Sequence, residues 1–184
     1  MYKRQGQPPL PETAQFAANL RDALISCYGQ YINAATFTDQ GECLKNKGIP
    51  DAAISEIKQS IAGNSALQCV GFARAVAAGV GHSLTDFQGD AKDYAHDGAG
   101  YQWYSAAQIK NIQPGDLFII TQGRWGHIAV VVAPLGGNGF LAAEAWGMDV
   151  NGQPQGHVRT KEYGFEFLKR TYGCLLYTSP SPRD

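Results

Sequence analysis

The chain lacks several features that would point to particular partners. No apolar run approaches the roughly 20 residues that a membrane-spanning helix needs. No basic segment stands out and the formal net charge is only −1, so nothing indicates binding to nucleic acid or to a membrane surface. A phosphate-binding glycine loop and internal repeats are missing as well. These absences predict a soluble globular domain.

Metal-binding patterns are also missing. His82, His96 and His157 occur outside any His-Glu-x-x-His or Cys-x-x-Cys arrangement, which argues against a zinc enzyme. Three aspartates within residues 90–97 lack the alternate spacing of a calcium-binding loop. We therefore predict that the protein needs no metal ion and no other cofactor.

Both ends of the chain look foreign to the protein. Codons that can encode residues 2–5, read on the opposite DNA strand, give the Cys-Leu-Leu of residues 174–176. Translation of one sequencing adapter on its two strands would produce such a match. We therefore predict that residues 1–5 and 174–184 are derived from an adapter and that the natural chain continues beyond both ends. Whether a signal peptide precedes it stays open.

Cysteine is scarce once the two ends are set aside. Cys27, Cys43 and Cys69 remain. One disulfide plus one free thiol is typical of an exported thiol enzyme, whereas three reduced cysteines are the alternative. The spacing leaves open whether Cys27 and Cys43 pair.

Helical patterns occupy the first part of the chain, and strand patterns occupy the second. Long helices are predicted over residues 11–27, 50–62 and 67–79. A polar loop is expected at 82–100 and a short helix at 104–109. Strands are predicted over residues 117–121, 128–133, 140–146 and 165–172. This order predicts an α+β protein in which helices pack on a small antiparallel sheet.

Cys69 is the leading candidate for a reactive group. It follows a loop-like Gly-Asn-Ser segment at residues 63–65 and falls in the first turn of the third predicted helix. The unpaired N–H groups and the dipole of a helix start favour the thiolate over the thiol. A small buried cysteine without a chemical role is the alternative.

His127 follows 58 residues later, at the start of a buried strand pattern. Gly126 before it leaves room for another group to approach the histidine closely. The apolar strand residues Ile128, Val130 and Val132 are expected to hold the histidine in a fixed position. A thiol on a helix start that faces a histidine on a strand is the papain-type arrangement for attack on an amide. The alternative is a hydrogen-bonded histidine at a strand end with a purely structural role.

Three segments occur in an order that is known from one enzyme family. Residues 68–73 read Gln-Cys-Val-Gly-Phe-Ala, residues 114–119 read Pro-Gly-Asp-Leu-Phe-Ile, and residues 125–131 read Trp-Gly-His-Ile-Ala-Val-Val. Together they resemble the Gln-Cys helix start, the Pro-Gly-Asp turn and the Gly-His strand of the CHAP family. These are cysteine- and histidine-dependent amidohydrolases and peptidases that cut bacterial peptidoglycan. The resemblance covers roughly residues 64–173.

The resemblance implies a papain-like α+β fold, with a helical segment over residues 6–62 and a CHAP-like catalytic domain over 63–173. It implies cleavage of a peptidoglycan amide bond through a cysteine acyl-enzyme. The enzyme would be either an N-acetylmuramoyl-L-alanine amidase or an endopeptidase. The expected setting is extracellular or at the cell wall, in wall turnover or in lysis by a phage-delivered endolysin. The oligomeric state stays unknown.

A third group should orient the imidazole of His127. On the next predicted strand only Glu144 can do so, and a charge in an apolar strand needs a partner. An edge-facing surface glutamate is the alternative. The family often places a glutamate here and an asparagine two residues later. This chain has Trp146 at the later position, so the role of the asparagine is vacant or filled from elsewhere.

Two further residues receive expected roles from the resemblance. Gln68 is expected to help the backbone amide of Cys69 to stabilise an oxyanion, and an ordinary polar residue at a helix start is the alternative. Trp125 is expected to line the substrate groove, although a tryptophan beside a strand more often has a packing role.

Two other functions stay open. The chain could be a related cysteine hydrolase that acts on another amide, such as a protein or a small peptide conjugate. It could also be a catalytically silent binding module that keeps the CHAP fold, for which Trp146 in place of the family asparagine is the only support in the sequence.

Overall fold

The α+β class predicted from the sequence is confirmed by the computed structural model. The structure describes residues 10–84, 88–98, 101–104, 112–148, 153–172 and 175–179. Within these residues, four α-helices precede a six-stranded antiparallel sheet, and a fifth helix lies between the last two strands in the chain.

The first four α-helices lie in the N-terminal half of the chain, and the fifth lies near its C-terminal end. The α-helices are α1 (Leu10–Tyr28), α2 (Glu42–Asn46), α3 (Asp51–Asn64), α4 (Cys69–Gly79) and α5 (Phe165–Tyr172). The three long predicted helices correspond to α1, α3 and α4. Extended Pro50 precedes α3, and Asp51 places a negative charge in its first turn, where the helix dipole favours one. Of the helices that the structure describes, none has both the length and the apolarity that a bilayer crossing requires.

The sheet occupies the C-terminal half. Its strands are β1 (Gln102–Tyr104), β2 (Leu117–Ile120), β3 (His127–Pro134), β4 (Gly139–Met148), β5 (Pro154–Gly164) and β6 (Leu175–Ser179). The order across the sheet is β1-β6-β2-β3-β4-β5, with antiparallel neighbours throughout. Three of the predicted strands correspond to β2, β3 and β4. Residues 175–179, which the sequence interpretation had set aside, pair between β1 and β2.

The prediction of a strand over residues 165–172 was wrong, because these residues form α5. Phe165 and Leu168, three residues apart, are buried, whereas Glu166 and Phe167 between them are exposed. This spacing is helical, and an alternating pattern would have been needed for a half-buried strand.

The sequence interpretation also missed β5, an 11-residue strand. His157, Arg159 and Lys161 occupy one face of this strand, so it has no clear apolar run. In the predicted loop at 82–100, a short 3-10 helix occupies Ala91–Tyr94. Tyr104 ends β1, and the rest of the short helix predicted there lies outside the described residues.

One hydrophobic cluster fills the space between the helices and the sheet. It joins Leu20 and Leu24 of α1 to Phe72 of α4 and to Ile128 and Val130 of β3, all fully buried. Complete burial of one such side chain is favourable by about 1.5–3 kcal/mol. The N-terminal helices therefore share their core with the rest of the domain.

A second cluster covers the opposite face of the sheet. Phe118, Phe140 and Tyr163 pack there with Phe165 and Leu168 of α5. Alternate residues of the central strands thus face two separate cores, which explains why β2 is apolar at every position.

A disulfide joins Cys27 at the end of α1 to Cys43 in α2, a pairing that the sequence had left open. Residues 30–33 lie inside the loop that this bond closes. The Ile32 N–H donates to the Gly156 carbonyl, and the Ile32 carbonyl accepts from the Leu67 N–H. The disulfide therefore closes the loop that contains Ile32, and Ile32 hydrogen-bonds both to β5 and to the turn before α4.

Candidate active site

Cys69 is the first residue of α4. Gln68 before it has an extended backbone (φ −89°, ψ 164°), and its N–H donates to Ser60 Oγ at 3.0 Å. The preceding Leu67 N–H donates to the Ile32 carbonyl at 2.8 Å. Hydrogen bonds from α3 and from the segment after α1 therefore hold the turn that presents the thiol.

A glycine near the start of α4 allows this close contact with α3. A Cβ atom at Gly71 would lie 2.3 Å from the Cβ and Oγ atoms of Ser60 and 3.3 Å from Leu67. Because only glycine leaves this room, α3 approaches closely enough for its serine to bind the Gln68 amide.

His127 begins β3, and its side chain is buried. Gly126 before it has φ +70°. A Cβ atom at Gly126 would lie 2.6 Å from the Ile120 carbonyl oxygen and 2.7 Å from the Lys92 nitrogen. Glycine thus lets the chain pass between β2 and the 3-10 helix, and this passage fixes where the imidazole lies.

Glu144 lies on β4 and is fully buried. His127 Nε2 donates to its Oε2 atom at 2.7 Å, and Arg159 Nε donates to its Oε1 atom at 2.7 Å. The Tyr163 hydroxyl also donates to Oε2. Three donors therefore satisfy a carboxylate that burial alone would strongly disfavour.

The sequence interpretation did not find Arg159 or Tyr163. Both lie on β5, and the register of the β4–β5 pair puts Arg159 directly opposite Glu144. Side chains at opposite positions lie on the same face of an antiparallel pair. The signal in the sequence was the alternation of basic residues in β5, which becomes informative only once β5 is recognised as the partner of β4.

The side chains of Cys69 and His127 are hydrogen-bonded to each other. Because Nε2 of the imidazole faces Glu144, Nδ1 is the ring nitrogen left for the sulfur. The structure therefore brings together a thiol, an imidazole and a carboxylate in that order, the three residues that the sequence had singled out.

Local interactions favour the thiolate form of Cys69. Burial raises the pKa of the thiol, but the hydrogen bond and the positive charge of His127 lower it. Hydrogen bonds from the backbone amides of Ile128 and Val70 act in the same direction. The net result is a pKa below the ordinary value of 9.0.

The pKa values of His127 and Glu144 shift in the directions that favour the charged form of each side chain, as that of Cys69 does. Burial lowers the pKa of His127, but its hydrogen bonds and charge interactions with Cys69 and Glu144 outweigh this and raise the pKa to about 9. Burial raises the pKa of Glu144, but His127, Tyr163 and Arg159 together lower it to about 2. These three directions all favour a thiolate on Cys69 beside an imidazolium on His127, which the charged carboxylate stabilises.

Residues 60–145 match the family model of the CHAP domain. The chain contains a CHAP domain. The matched span includes Cys69, His127 and Glu144, together with Ser60, which holds the entry to α4. CHAP domains are usually hydrolases of the amidase or peptidase type. Among curated proteins, none matches the chain.

Trp146 occupies the position where many CHAP domains are expected to have an asparagine. The centroid of its ring system lies 4.8 Å from that of the His127 ring. The Nε2–H group of His127 donates its hydrogen bond to Glu144, so no second polar group is needed at that atom. In this CHAP domain the position of the family asparagine is thus filled by an aromatic ring, that of Trp146, which packs against the imidazole of His127.

The other two predicted site residues, Gln68 and Trp125, lie shortly before Cys69 and His127 in the sequence. Gln68 Nε2 lies 3.5 Å from the Gly147 carbonyl oxygen, at the limit of a hydrogen bond. Trp125 is exposed, and the Arg124 guanidinium lies 4.2 Å from its ring centroid. Their roles in oxyanion stabilisation and substrate binding stay predictions.

The described residues contain no group of three or more His, Cys, Asp or Glu side chains placed to hold a metal ion. Two of the aspartates considered for calcium cap the 3-10 helix instead. Asp93 accepts a hydrogen bond from the Asp90 N–H at 2.8 Å. This contact gives the pair a structural role at the helix start.

Proposed function

We propose that this CHAP domain hydrolyses an amide bond of bacterial peptidoglycan through a cysteine acyl-enzyme. The observation that carries the proposal is the buried imidazole of His127, which contacts the Cys69 thiol on one side and the Glu144 carboxylate on the other. Nucleophilic attack on an amide requires a thiolate next to a group that holds and returns its proton.

In the first half of the reaction, the Cys69 thiolate attacks the carbonyl carbon of the amide. The oxyanion accepts hydrogen bonds from the Cys69 N–H at the start of α4 and from the side chain of Gln68. His127, which carries the proton, donates it to the nitrogen of the leaving amine. The carbon–nitrogen bond breaks, and a thioester remains on Cys69.

In the second half, His127 takes a proton from a water molecule, whose oxygen attacks the thioester carbonyl. Breakdown of this intermediate releases the carboxylic acid and restores the Cys69 thiolate. Glu144 acts as a positioning residue that orients the imidazole and stabilises its positive charge. Arg159 and Tyr163 keep the carboxylate charged and in place.

The choice of peptidoglycan as substrate rests on the CHAP family and on the setting that the fold suggests. The Cys27–Cys43 disulfide supports a protein that works in an oxidising compartment. The bacterial cell wall, reached by export or by phage delivery, is such a place. The proposed partner is therefore the wall polymer.

The test measures soluble fragments that the full chain releases from purified peptidoglycan. We expect release by the wild type, background release by Cys69→Ala, and wild-type release by the control Cys174→Ser, which loses a thiol elsewhere. Circular dichroism checks that each variant is folded. Equal release by the wild type and Cys69→Ala would remove Cys69 as the nucleophile. No release by a folded wild type would point to another amide or to a silent binding module.

A further inference from the structure

The 3-10 helix Ala91–Tyr94 lies between the two elements that carry the thiol and the imidazole. It packs on β2 and β3, and one of its side chains reaches α4. A capping box of Asp90 and Asp93 closes its first turn, and the side chains of Ala91 and Tyr94 are buried. This short helix is therefore anchored in the core beside the reactive pair.

Lys92 joins the 3-10 helix to the loop that leads into β3. Its Nζ donates to the Arg124 carbonyl at 2.9 Å, and its backbone N–H donates to the Trp125 carbonyl at 3.3 Å. The next residue, Gly126, passes so close to Lys92 that a Cβ atom would lie 2.7 Å from the lysine nitrogen. The lysine therefore contacts each of the three residues that immediately precede His127.

Tyr94 joins the same 3-10 helix to α4. Its hydroxyl accepts a hydrogen bond from Arg74 Nε at 2.9 Å, about one and a half turns along α4 from Cys69. The tyrosine is only 1% exposed and belongs to the same hydrophobic cluster as Phe72 of α4. Burial raises the pKa of Tyr94 more than Arg74 lowers it, and the charge of Cys69 adds to the rise. The hydroxyl is thus protonated and lies within electrostatic range of the sulfur.

Hydrogen bonds through the 3-10 helix add direction to the contact between α4 and β3. These two elements also pack directly against each other, but through apolar side chains of one hydrophobic cluster. Apolar burial is non-directional, whereas hydrogen bonds have a preferred length and angle. The link that runs from α4 through Tyr94 and Lys92 to the loop before His127 therefore restricts how α4 sits relative to the start of β3.

We infer that Lys92 and Tyr94 are positioning residues that set the distance and orientation between the Cys69 thiol and the His127 imidazole. Lys92 acts through the loop before His127, and Tyr94 acts through Arg74 and α4. Neither residue has to touch a substrate for this role. The inference rests on the proposed function only where it concerns catalysis, because the hydrogen-bonded pair is present without a substrate.

Labelling of Cys69 with iodoacetamide tests the role of Lys92 without a substrate. The experiment uses the full chain with Cys174→Ser and follows the Cys69 peptide by mass spectrometry over a range of pH. We expect Lys92→Met to raise the pH of half-maximal labelling by about half a unit to one unit, because the thiolate loses part of its contact with the imidazolium. Lys92→Arg, which keeps a charged donor, should restore most of the shift. Lys58→Met, an exposed change on α3, is the control and should label as the parent does.

Tyr94→Phe removes one hydroxyl and keeps the buried ring, so it tests the other end of the link. The same labelling midpoint should move in the same direction as in Lys92→Met. Because the two residues act in series, the double variant should shift the midpoint by less than the sum of the two single shifts. Tyr104→Phe is the control: it loses a hydroxyl that contacts Gln102 on β1 and should change nothing.

Fragment release from purified peptidoglycan measures the effect on catalysis. We expect Lys92→Met and Tyr94→Phe each to lower kcat about threefold to tenfold and to leave KM unchanged, because the reacting groups are misplaced while substrate binding is kept. Urea unfolding measures the stability of each variant separately. Rates are compared at a temperature at which circular dichroism shows every variant to be folded.

The outcomes separate the inference from the proposed function. Labelling midpoints in Lys92→Met and Tyr94→Phe that equal those of Lys58→Met and Tyr104→Phe would overturn the positioning role. A rise in KM with kcat unchanged would also overturn it, because the residues would then act on substrate binding. Shifted midpoints in a protein whose wild type releases no wall fragments would support the inference and count against the proposed function.

Discussion

The Glu144 carboxylate accepts a hydrogen bond from Nε2 of His127 at 2.7 Å, and both side chains are buried. This contact joins β4 to the first residue of β3 and sets both the orientation and the charge of the imidazole. Because Arg159 and Tyr163 also bind the carboxylate, Glu144 stays charged well below neutral pH. The proton on His127 is therefore held by interactions that reach as far as β5.

Replacement of Glu144 by glutamine removes this charge and keeps nearly the same shape. We expect kcat for peptidoglycan hydrolysis to fall about tenfold to a hundredfold, because the imidazolium loses its partner. The high-pH limb of the rate profile, set by a His127 pKa of about 9 in the wild type, should move to lower pH. Initial rates from pH 5 to 10 measure both effects. Glu162→Gln, an exposed change on β5, is the control, and a profile equal to it would contradict the role of Glu144.

The stability contributed by the Glu144 site should depend on pH. Its pKa is lowered from 4.5 to about 2, so the native contacts favour the charged form. Their contribution is fully present above pH 4.5 and is lost progressively as the pH falls towards 2. The difference in the free energy of unfolding between the wild type and Glu144→Gln should therefore narrow over this range. Urea unfolding at successive pH values measures it, and a difference independent of pH would argue against a charged native carboxylate.

His127 should control the ionisation of Cys69. In His127→Ala the hydrogen bond and charge that lower the pKa of Cys69 are lost, while much of the burial that raises it remains. We expect slower iodoacetamide labelling at neutral pH and a labelling midpoint at higher pH. The experiment uses a Cys174→Ser background and follows the Cys69 peptide by mass spectrometry. His82→Ala, a half-buried histidine after α4, is the control and should label as the parent does.

The proximity of Cys69 and His127 could be predicted from local signals together with the resemblance to the CHAP family. Cys69 follows a loop and opens a helical pattern, and His127 opens an apolar strand, but the order of the three CHAP-like segments was needed to favour a reactive role over a structural one. The partner of His127 was also within reach, because Glu144 is the only carboxylate in the strand predicted over residues 140–146.

Neither strand β5 nor the side chains on it that bind Glu144 could be predicted in the same way. Arg159 reaches Glu144 only because the register of β4 and β5 places them opposite each other, and register depends on pairing between distant segments. Likewise, Tyr31 meets His157 through an isolated bridge between the N-terminal segment and β5. Such contacts are properties of the folded arrangement and leave little trace in local composition.

The passage of the chain through Gly126 should be intolerant of a side chain. Gly126→Ala combines a left-handed backbone with contacts of 2.6 Å and 2.7 Å to backbone atoms, so we expect a loss of about 3 kcal/mol or more. Gly123→Ala is the matched control: its φ of +83° is similar, but nothing lies within 4 Å, so a loss of about 1 kcal/mol is expected. Urea unfolding measures both. Equal losses would show that backbone strain alone matters and that the passage is not tight.

The Cys27–Cys43 disulfide should affect both stability and activity. It closes a loop of 16 residues, for which the loss on replacing both cysteines by serine is about 3 kcal/mol. Residues 30–33 in that loop hold Leu67, two residues before Cys69, so loosening them should also lower kcat at temperatures where the protein remains folded. Dithiothreitol should reproduce both effects in the wild type and have no effect on the double serine variant, which serves as the control. A wild type that keeps its activity after complete reduction, verified by mass spectrometry, would show that the segment after α1 holds the nucleophile turn without the disulfide.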